Sequence, residues 1–314
     1  MADSLDTLSL LHASGASVFI NPTAGHGRAK AYRTQVQEYF RSLQIPVQIK
    51  INGSPGELES TVREAVSQGQ RVLFAMGGDG TFQALANASF GADVLLGILP
   101  VGGGNDFAKA LGIPSNWQKA LAAMPSYVPR RVDLARAHTA DGKTRLYAGG
   151  GGIGLDAEAT RHATGAFRRL PGRVRYVAAA LRALQEYLPR RVRVEFPEAG
   201  IQPVEADCLL TCALNTPTYG GGLRIAPNAR VDDALLNVAL VEPLGTLGVL
   251  SLLPRLLATG ELRTSRIRRW QAKRVRLIAN RHCLFHGDGE ILGPAPVEIE
   301  VVPRAVRLLA PPAG

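Results

Sequence analysis

The chain has 314 residues, 46% hydrophobic and 20% charged, with 36 Lys and Arg against 26 Asp and Glu for a formal net charge of +10. That composition belongs to a folded globular protein and excludes a disordered or low-complexity chain, while the length exceeds the usual single core and predicts two domains. A spanning helix needs about 20 apolar residues, and the best run, Leu244 to Thr259, is interrupted by Pro254 and Arg255. The start, Met1-Ala2-Asp3-Ser4-Leu5-Asp6, lacks the positive opening and small-residue cleavage site of a signal peptide, so a cytoplasmic protein is expected. Cys208, Cys212 and Cys283 are odd in number and sit in apolar runs, which suits buried thiols in a reducing compartment.

In chain order, Ala16 to Ile20 reads as a strand and Asn21 to Gly27 as a glycine-containing turn opening onto a helix, Arg28 to Leu43. Asn21 can hydrogen-bond a nucleotide there while Gly25 and Gly27 keep the backbone open; an ordinary turn is the competing reading. Val47 to Ile51 is the next strand. Ser54-Pro55-Gly56-Glu57 then makes a capping box for a helix that runs to Gln68 and stops at Gly69.

The strand Arg71 to Met76 leads into Gly77-Gly78-Asp79-Gly80-Thr81, where a strand becomes a helix. Glycines at such a junction let the backbone approach an anion and aim free amides at it, and phosphate is the expected guest. The Asp79 carboxylate would repel phosphate unless a cation or donor intervened, so it is assigned to a metal or to nucleotide hydroxyls. A tight turn without a ligand is the alternative. A further strand, Val94 to Leu99, ends in the turn Gly102 to Asp106 and a short helix closed by Gly112. Four strands alternating with helices imply a parallel sheet, with three glycine-rich turns along the carboxyl edge of its strands.

Beyond a short helix, Trp117 to Met124, the pattern changes. Val132 to Ala137 and Arg145 to Ala148 flank Asp141-Gly142, a hairpin signal. Strands are expected at Val192 to Phe196, Ala206 to Leu214, Leu235 to Val241, Arg274 to Ala279 and Val297 to Val301. The fold class is therefore an α/β N-terminal domain with a parallel sheet, at 15–130, plus a mainly antiparallel, sandwich-like second domain, at 131–302. The tail 303–314 is a candidate to return to the first. The run Gly149 to Asp156 requires close backbone approach or positive φ, as the floor of a substrate cleft or as a mobile hinge. Val174 to Leu188 and Leu244 to Leu257 are apolar enough for an acyl-chain pocket, although core packing is the commoner use.

The basic residues cluster. Arg263 to Arg281 holds eight Arg or Lys and no acid, around Trp270, and Arg161 to Arg193 holds nine Arg against Glu186. No nucleic-acid motif accompanies them, and Trp270 with Leu262 and Ile267 favours an anionic membrane surface over nucleic acid; a solvated basic face is the plain alternative. A zinc site from Cys208, Cys212, His282, Cys283 and His286 is disfavoured, because Cys208 and Cys212 lie in one apparent strand without a turn.

Four segments carry a family resemblance. Gly77-Gly78-Asp79-Gly80-Thr81 resembles the nucleotide motif of diacylglycerol kinases, sphingosine kinases and, more distantly, NAD kinases and phosphofructokinases. Asn21-Pro22-Thr23-Ala24-Gly25, Leu99 to Ala108 with Gly102-Gly103-Gly104-Asn105-Asp106 at its centre, and His286-Gly287-Asp288-Gly289-Glu290 narrow the match. Their order and spacing resemble the bacterial soluble diacylglycerol kinase-like lipid kinases over nearly the whole chain.

The resemblance implies an ATP- and Mg2+-dependent kinase, peripheral to the membrane, that phosphorylates a hydroxyl of diacylglycerol or a related lipid. It assigns the nucleotide to Asn21, Pro22, Thr23, Ala24, Gly25, Asn52, Gly77, Gly78, Asp79, Gly80, Thr81, Gln83, Gly103, Asn105 and Asp106. It makes Glu290 the general base, with Asp288 beside it in the catalytic motif, and has Asp79, Asp106 and Asp133 hold magnesium or orient its waters. In Ala226 to Leu235 it implies a structural metal loop, with the Asp233 carboxylate and the carbonyls of Arg230 and Leu235 as ligands. This chain departs from the family pattern at Gly103 (threonine), Gln83 (asparagine) and Ala234 (glycine), which bears on nucleotide affinity and on the metal loop. The rival readings are a NAD kinase-like enzyme and a non-catalytic nucleotide or lipid sensor.

Overall fold

The computed structural model describes residues 7–25, 27–167, 188–244 and 264–313, together with 178, 179, 182, 183, 248, 259 and 260. The apolar stretches expected at 174–188 and 244–257 thus fall almost wholly outside the described residues. The chain divides into two units, Met1–Val132 with Arg304–Gly314, and Asp133–Pro303.

In the first unit, β1 (Ala16–Ile20), β2 (Val47–Ile51), β3 (Val72–Gly77) and β4 (Leu95–Pro100) form a parallel sheet in the order β2-β1-β3-β4. Every residue of β1, β3 and β4 is buried, as in a parallel sheet covered on both faces, whereas the edge strand β2 alternates partly buried and exposed positions. The end of the last strand, β16 (Val297–Ala310), lies parallel to β4 through Arg307 and Leu308.

Among the described residues this unit has the α-helices α1 (Thr7–Ser14), α2 (Arg33–Ser42), α3 (Pro55–Ser67), α4 (Asp79–Ser89), α5 (Asp106–Ala110) and α6 (Trp117–Ala123). The helix expected from Arg28 opens instead as a 3₁₀ turn, Ala29–Tyr32, before α2. At α3 the Ser54 hydroxyl accepts the N–H of Glu57 (3.2 Å), and Glu57 reaches back to the N–H of Gly53 (2.7 Å), one residue further out than a capping box places it. Phe40 meets Phe74 edge-on at 5.7 Å, and Phe82 stacks on Phe107 at 5.0 Å, joining α4 to α5.

The second unit has two sheets. One, antiparallel throughout, runs β12 (Ile267–Ala272), β11 (Leu236–Val241), β10 (Leu210–Leu214), β7 (Gly150–Gly154), β14 (Leu284–Gly287), β15 (Glu290–Pro294). The other pairs the start of β16 with β13 (Arg274–Ala279), then β8 (Arg190–Glu195) and β9 (Val204–Cys208). The hairpin of β5 (Val128–Thr139) and β6 (Thr144–Tyr147) forms around Asp141-Gly142 as expected. Val192, Val275, Leu277 and Ile299 from one sheet share a core with Ile153, Val238, Leu240 and Phe285 from the other, a sandwich.

Several expectations change. The single strand expected at Ala206 to Leu214 is two, because the chain passes from one sheet to the other at Leu209. Cys208 thereby joins the inter-sheet core while Cys212 packs in a separate cluster with Leu214 and Tyr219, and all three thiols are free and buried. The glycine run is no hinge: Gly150–Gly154 is a buried central strand with positive φ only at Gly154. An additional helix, α7 (Leu155–Thr164), follows it.

Trp270 is partly buried. It packs on the sandwich core with its ring 5.4 Å from Phe196. Several arginines of the two basic runs are paired with acids outside those runs: Arg268 with Glu242 (3.0 Å), Arg274 with Glu300 (3.2 Å), Arg191 with Glu205 (2.8 Å) and Arg193 with Glu195 (2.7 Å). The basic surface on these strands is correspondingly smaller than the sequence count suggests.

Candidate active site

The carboxyl ends of β1, β3 and β4 lead into the three glycine-bearing turns, and in the first unit these turns touch. Asn21 Nδ2 donates to Thr81 Oγ1 (3.2 Å), joining the turn after β1 to the first turns of α4. A Cβ on Gly25 would stand 2.5 Å from Val101 Cγ1, and one on Gly102 would stand 2.6 Å from the Cα of Gly78. Gly25 also has φ 59°, in the left-handed region. The Asn21 side chain folds over its own turn, accepting the N–H (3.0 Å) and hydroxyl (2.7 Å) of Thr23, with Pro22 and Ala24 in the bend. Gly77 Cα sits against Thr81, and its carbonyl accepts the N–H groups of Val101 and Gly102.

Asp79 does more local work than its sequence context suggested. Its two oxygens accept the N–H groups of Phe107 (3.1 Å) and Asp106 (3.2 Å), so it caps α5 from the first turn of α4. Burial, and next the charge of Asp106, push its pKa up to about 6, against the opposing pull of the two amides and Lys109. Asp106 itself lies 3.8 Å from Lys109.

The remaining expected nucleotide residues divide by environment. Asn105 takes φ 53° at the start of α5, donates to the carbonyl of Gly102 (2.7 Å), and leaves a buried Oδ1 without a hydrogen-bond partner. Asn52, just past β2, donates to Thr61 (2.9 Å) and likewise leaves a buried Oδ1 unpartnered. Gln83 is buried in α4, Gly80 lies in its first turn, and Gly103 is exposed at the tip of its loop. A cradle too tight for a Cβ, with the buried amide oxygen of Asn105 lacking a donor, fits the polar hydrogens of a nucleotide.

In the second unit, β14 and β15 form a hairpin whose two-residue turn is Asp288-Gly289, with φ 52° and 84° and Gly287 opposite Glu290. Both positive angles belong to the type I′ turn that suits Asp-Gly. The Asp288 carboxylate accepts three successive amides, of Ala148 (2.6 Å), Gly149 (2.8 Å) and Gly150 (3.2 Å), and its own N–H donates to the Gly150 carbonyl. Those bonds give Asp288 a positioning place; the partly buried Glu290 opens β15 directly after the turn.

The loop expected to hold a structural metal is organised by Asp133. This carboxylate, 1% exposed, accepts the N–H of Ala234 (2.7 Å), and its backbone N–H donates to the Val231 carbonyl (2.7 Å). Asp233 accepts the N–H of Leu235 (3.1 Å), as an aspartate capping a turn does, while Arg230 Nε donates to Asp232 (3.2 Å). Burial, and the nearby Asp133 charge, raise the pKa of Asp233. Sequence reasoning missed Asn215, fully buried, which donates to the carbonyls of Asp133 (2.8 Å) and Ala148 (3.0 Å) and so joins this loop to the strand after the hairpin clamp. Its place in an apolar strand end, Leu214-Asn215-Thr216, is the signal that could have found it.

Among the described residues no three His, Cys, Asp or Glu side chains converge on one point. Two like-charged pairs do exist, Asp79 with Asp106 and Asp133 with Asp233. Magnesium draws one or two carboxylates and completes its shell with waters or phosphate oxygens, so these acids are the residues that would hold it, with both oxygens of Asp79 already accepting amides.

The diacylglycerol kinase catalytic domain family matches residues 15–137, and the YegS C-terminal NAD kinase beta sandwich-like domain family matches 151–310. A protein of Mycobacterium tuberculosis named "Diacylglycerol kinase" is 28% identical over 295 residues, covering 94% of each chain. A Pseudomonas aeruginosa protein named "Probable lipid kinase YegS-like" is 31% identical over 233 residues, 72% of this chain and 73% of its own. A crystal structure described as a diacylglycerol kinase of Bacillus anthracis shares the fold, with a TM-score of 0.69 over 95% of this chain and 97% of that one at 20% identity.

Proposed function

Because this chain belongs to the diacylglycerol kinase catalytic-domain family of lipid kinases, we propose that it transfers the γ-phosphate of ATP to a hydroxyl of diacylglycerol or a closely related lipid at a membrane surface. The single observation that carries the reading is the meeting of Asn21, Gly25, Gly78 and Gly102 in one cradle beside the unpartnered oxygen of Asn105. Amides at the start of α4 would bind the phosphates, beside an α5 start whose first amides are already taken by a carboxylate. Asp79, by holding those of Asp106 and Phe107, would fix the second of these helix starts.

In the proposed reaction the acceptor oxygen attacks the γ-phosphorus, the bond from that phosphorus to its bridging oxygen breaks, ADP departs, and Glu290 takes the hydroxyl proton. Asp288 holds the turn that precedes Glu290, so the two acids have different jobs, positioning and proton transfer. Magnesium, when bound, would offset phosphate charge beside Asp79 and Asp106, and Asp133 with Asp233 and the carbonyls of Arg230 and Leu235 would take a second, structural ion. The overall charge of +10, rather than the paired arginines of the sandwich, supports work at an anionic bilayer. Among the described residues no helix is long and apolar enough to cross a membrane.

The test supplies labelled ATP with diacylglycerol, sphingoid and polyprenol acceptors and with NAD, using Glu290→Gln as the control. Label in diacylglycerol that is lost in Glu290→Gln is expected. Label in NAD alone would overturn the lipid assignment, and ATP binding with transfer to nothing would make the protein a sensor.

A further inference from the structure

The proposed base sits on a short hairpin, and what fixes that hairpin extends beyond the Asp288 clamp. His286, on β14 two residues before Asp288, is 4% exposed and pairs across the sheet with Ile291 of β15 and Gly152 of β7. Its Nε2 lies 2.5 Å from the hydroxyl of Tyr219 and 3.3 Å from Asp156 Oδ2. The same hydroxyl lies 2.5 Å from Asp156 Oδ2, and the Tyr219 and His286 rings stack at 5.7 Å. Asp156 Oδ1 accepts the N–H of Ala157, which fixes the carboxylate at the start of α7.

One proton arrangement satisfies both short contacts of the Tyr219 hydroxyl. Tyr219 donates to Asp156 and accepts from the His286 Nε2–H, leaving Nδ1 as a bare acceptor, and Nδ1 is the His286 ring nitrogen that lacks a partner. A bare lone pair is a smaller cost in a buried place than an unmet N–H.

Glycines of β7 make room for this group. A Cβ on Gly150 would stand 2.5 Å from Leu214 Cδ2 and 2.7 Å from the Tyr219 ring, one on Gly151 2.5 Å from Phe285 Cζ and 2.6 Å from the His286 carbonyl oxygen, and one on Gly152 2.4 Å from Asp156 Oδ2. Two of these three glycines, none at positive φ, thus clear room for side chains of the cluster, Gly150 for Tyr219 and Gly152 for Asp156, while Gly151 clears Phe285 and the backbone of His286.

We propose that Asp156, Tyr219 and His286 form one hydrogen-bonded positioning network, seated on the glycine strand, that sets the place of the β14–β15 hairpin and hence of Glu290. The inference rests on Glu290 serving as the base. It assigns the three residues no contact with substrate.

The full-length protein tests this through amide exchange at 287–291 together with kcat and KM for phosphate transfer from ATP to diacylglycerol. Tyr219→Phe keeps the ring and loses the hydroxyl; hairpin exchange should accelerate and kcat fall, each at least about tenfold, with KM for ATP unchanged. His286→Gln keeps a donor near the place of Nε2 and should retain most of the protection and kcat, while His286→Phe, which keeps only the stacking, should behave as Tyr219→Phe. If Tyr219→Phe fails to fold, the two replacements at His286 decide the matter alone. Exchange and kcat unaffected by Tyr219→Phe, or a phenylalanine at 286 outperforming glutamine, would overturn the network. Wild type inactive on every lipid, or Glu290→Gln fully active, would instead defeat the functional reading, and the exchange rates alone would then decide whether the network holds the hairpin.

Discussion

Asp133 accepts the N–H of Ala234 at 2.7 Å, and Ala234 makes that contact from φ 58°. A non-glycine residue in the left-handed region costs about 1–2 kcal/mol, partly offset in a glycine replacement by extra freedom of the unfolded chain. Ala234→Gly should therefore stabilise the protein by about 0.5–1 kcal/mol, raising the melting temperature by about 1–4 °C in a thermal scan. The gain should shrink in Asp133→Asn, which weakens the bond that holds the turn.

Gly102→Ala should damage nucleotide binding. The new methyl would meet the backbone of Gly78, at 2.6 Å from its Cα, and backbone on both sides leaves little room to yield. Overpacking of this kind costs about 1–3 kcal/mol, so ATP affinity measured by calorimetry should fall about tenfold or more. Gly56→Ala, exposed in the first turn of α3 with nothing within 4 Å of the added methyl, should leave affinity near wild type and serves as the control.

Asp79 should report its surroundings through pH. Its carboxyl is raised from 3.8 to about 6, first by burial and then by Asp106. The protonated form is thus favoured by folding, so this group's contribution to stability is present below the ordinary carboxylate range and is lost as pH rises through about 6. Asp106→Asn should lower the midpoint of Asp79, followed by carboxyl NMR titration, and flatten the fall in stability between pH 4 and 6. Added magnesium should lower the same midpoint in the wild type if the pair receives a cation.

Asp288→Ala removes one carboxylate and strands three amides at once. Loss of a charged acceptor from buried donors costs about 1.5–3 kcal/mol, which chemical denaturation can measure. Asp288→Asn keeps one acceptor oxygen and should recover part of that loss. Phosphate transfer should fall in the order wild type, Asn, Ala, without a change in ATP affinity.

What could be read from the sequence was whatever its neighbours in the chain decide. Gly77 to Thr81, between an apolar run and a helical one, has the same meaning locally and in the fold, and so do Ser54-Pro55 and the Asp141-Gly142 hairpin. The second Asp-Gly hairpin went unread because its flanks, Leu284 to Gly287 and Glu290 to Pro294, mix a histidine, glycines and a proline into short strands. Gly150 to Gly154 could not be read as a strand, since glycine disfavours strands and the crowding that demands it comes from Tyr219, Phe285 and Asp156. The arginine clusters misled for a related reason. Arg276 sits across from Glu195, and Arg274 from Glu300, through strand pairings that no linear window contains. Asp79 stands out locally between its glycines, but its amide partners arrive from 27 and 28 residues downstream.

The closing strand has a consequence for how the molecule is made. Arg307 binds Asp93 across 214 positions of sequence, and Leu308 lies beside Leu96, so β4 gains its outer neighbour only after the entire sandwich has been synthesised. Until then a nascent chain carries a hydrophobic strand with one flank open, the kind of edge that invites association with other chains. Completion of the nucleotide-side sheet is thus a late, long-range closure, and a fragment cut after Val132 would keep the glycine cradle yet lack the strand that seals the sheet beside it.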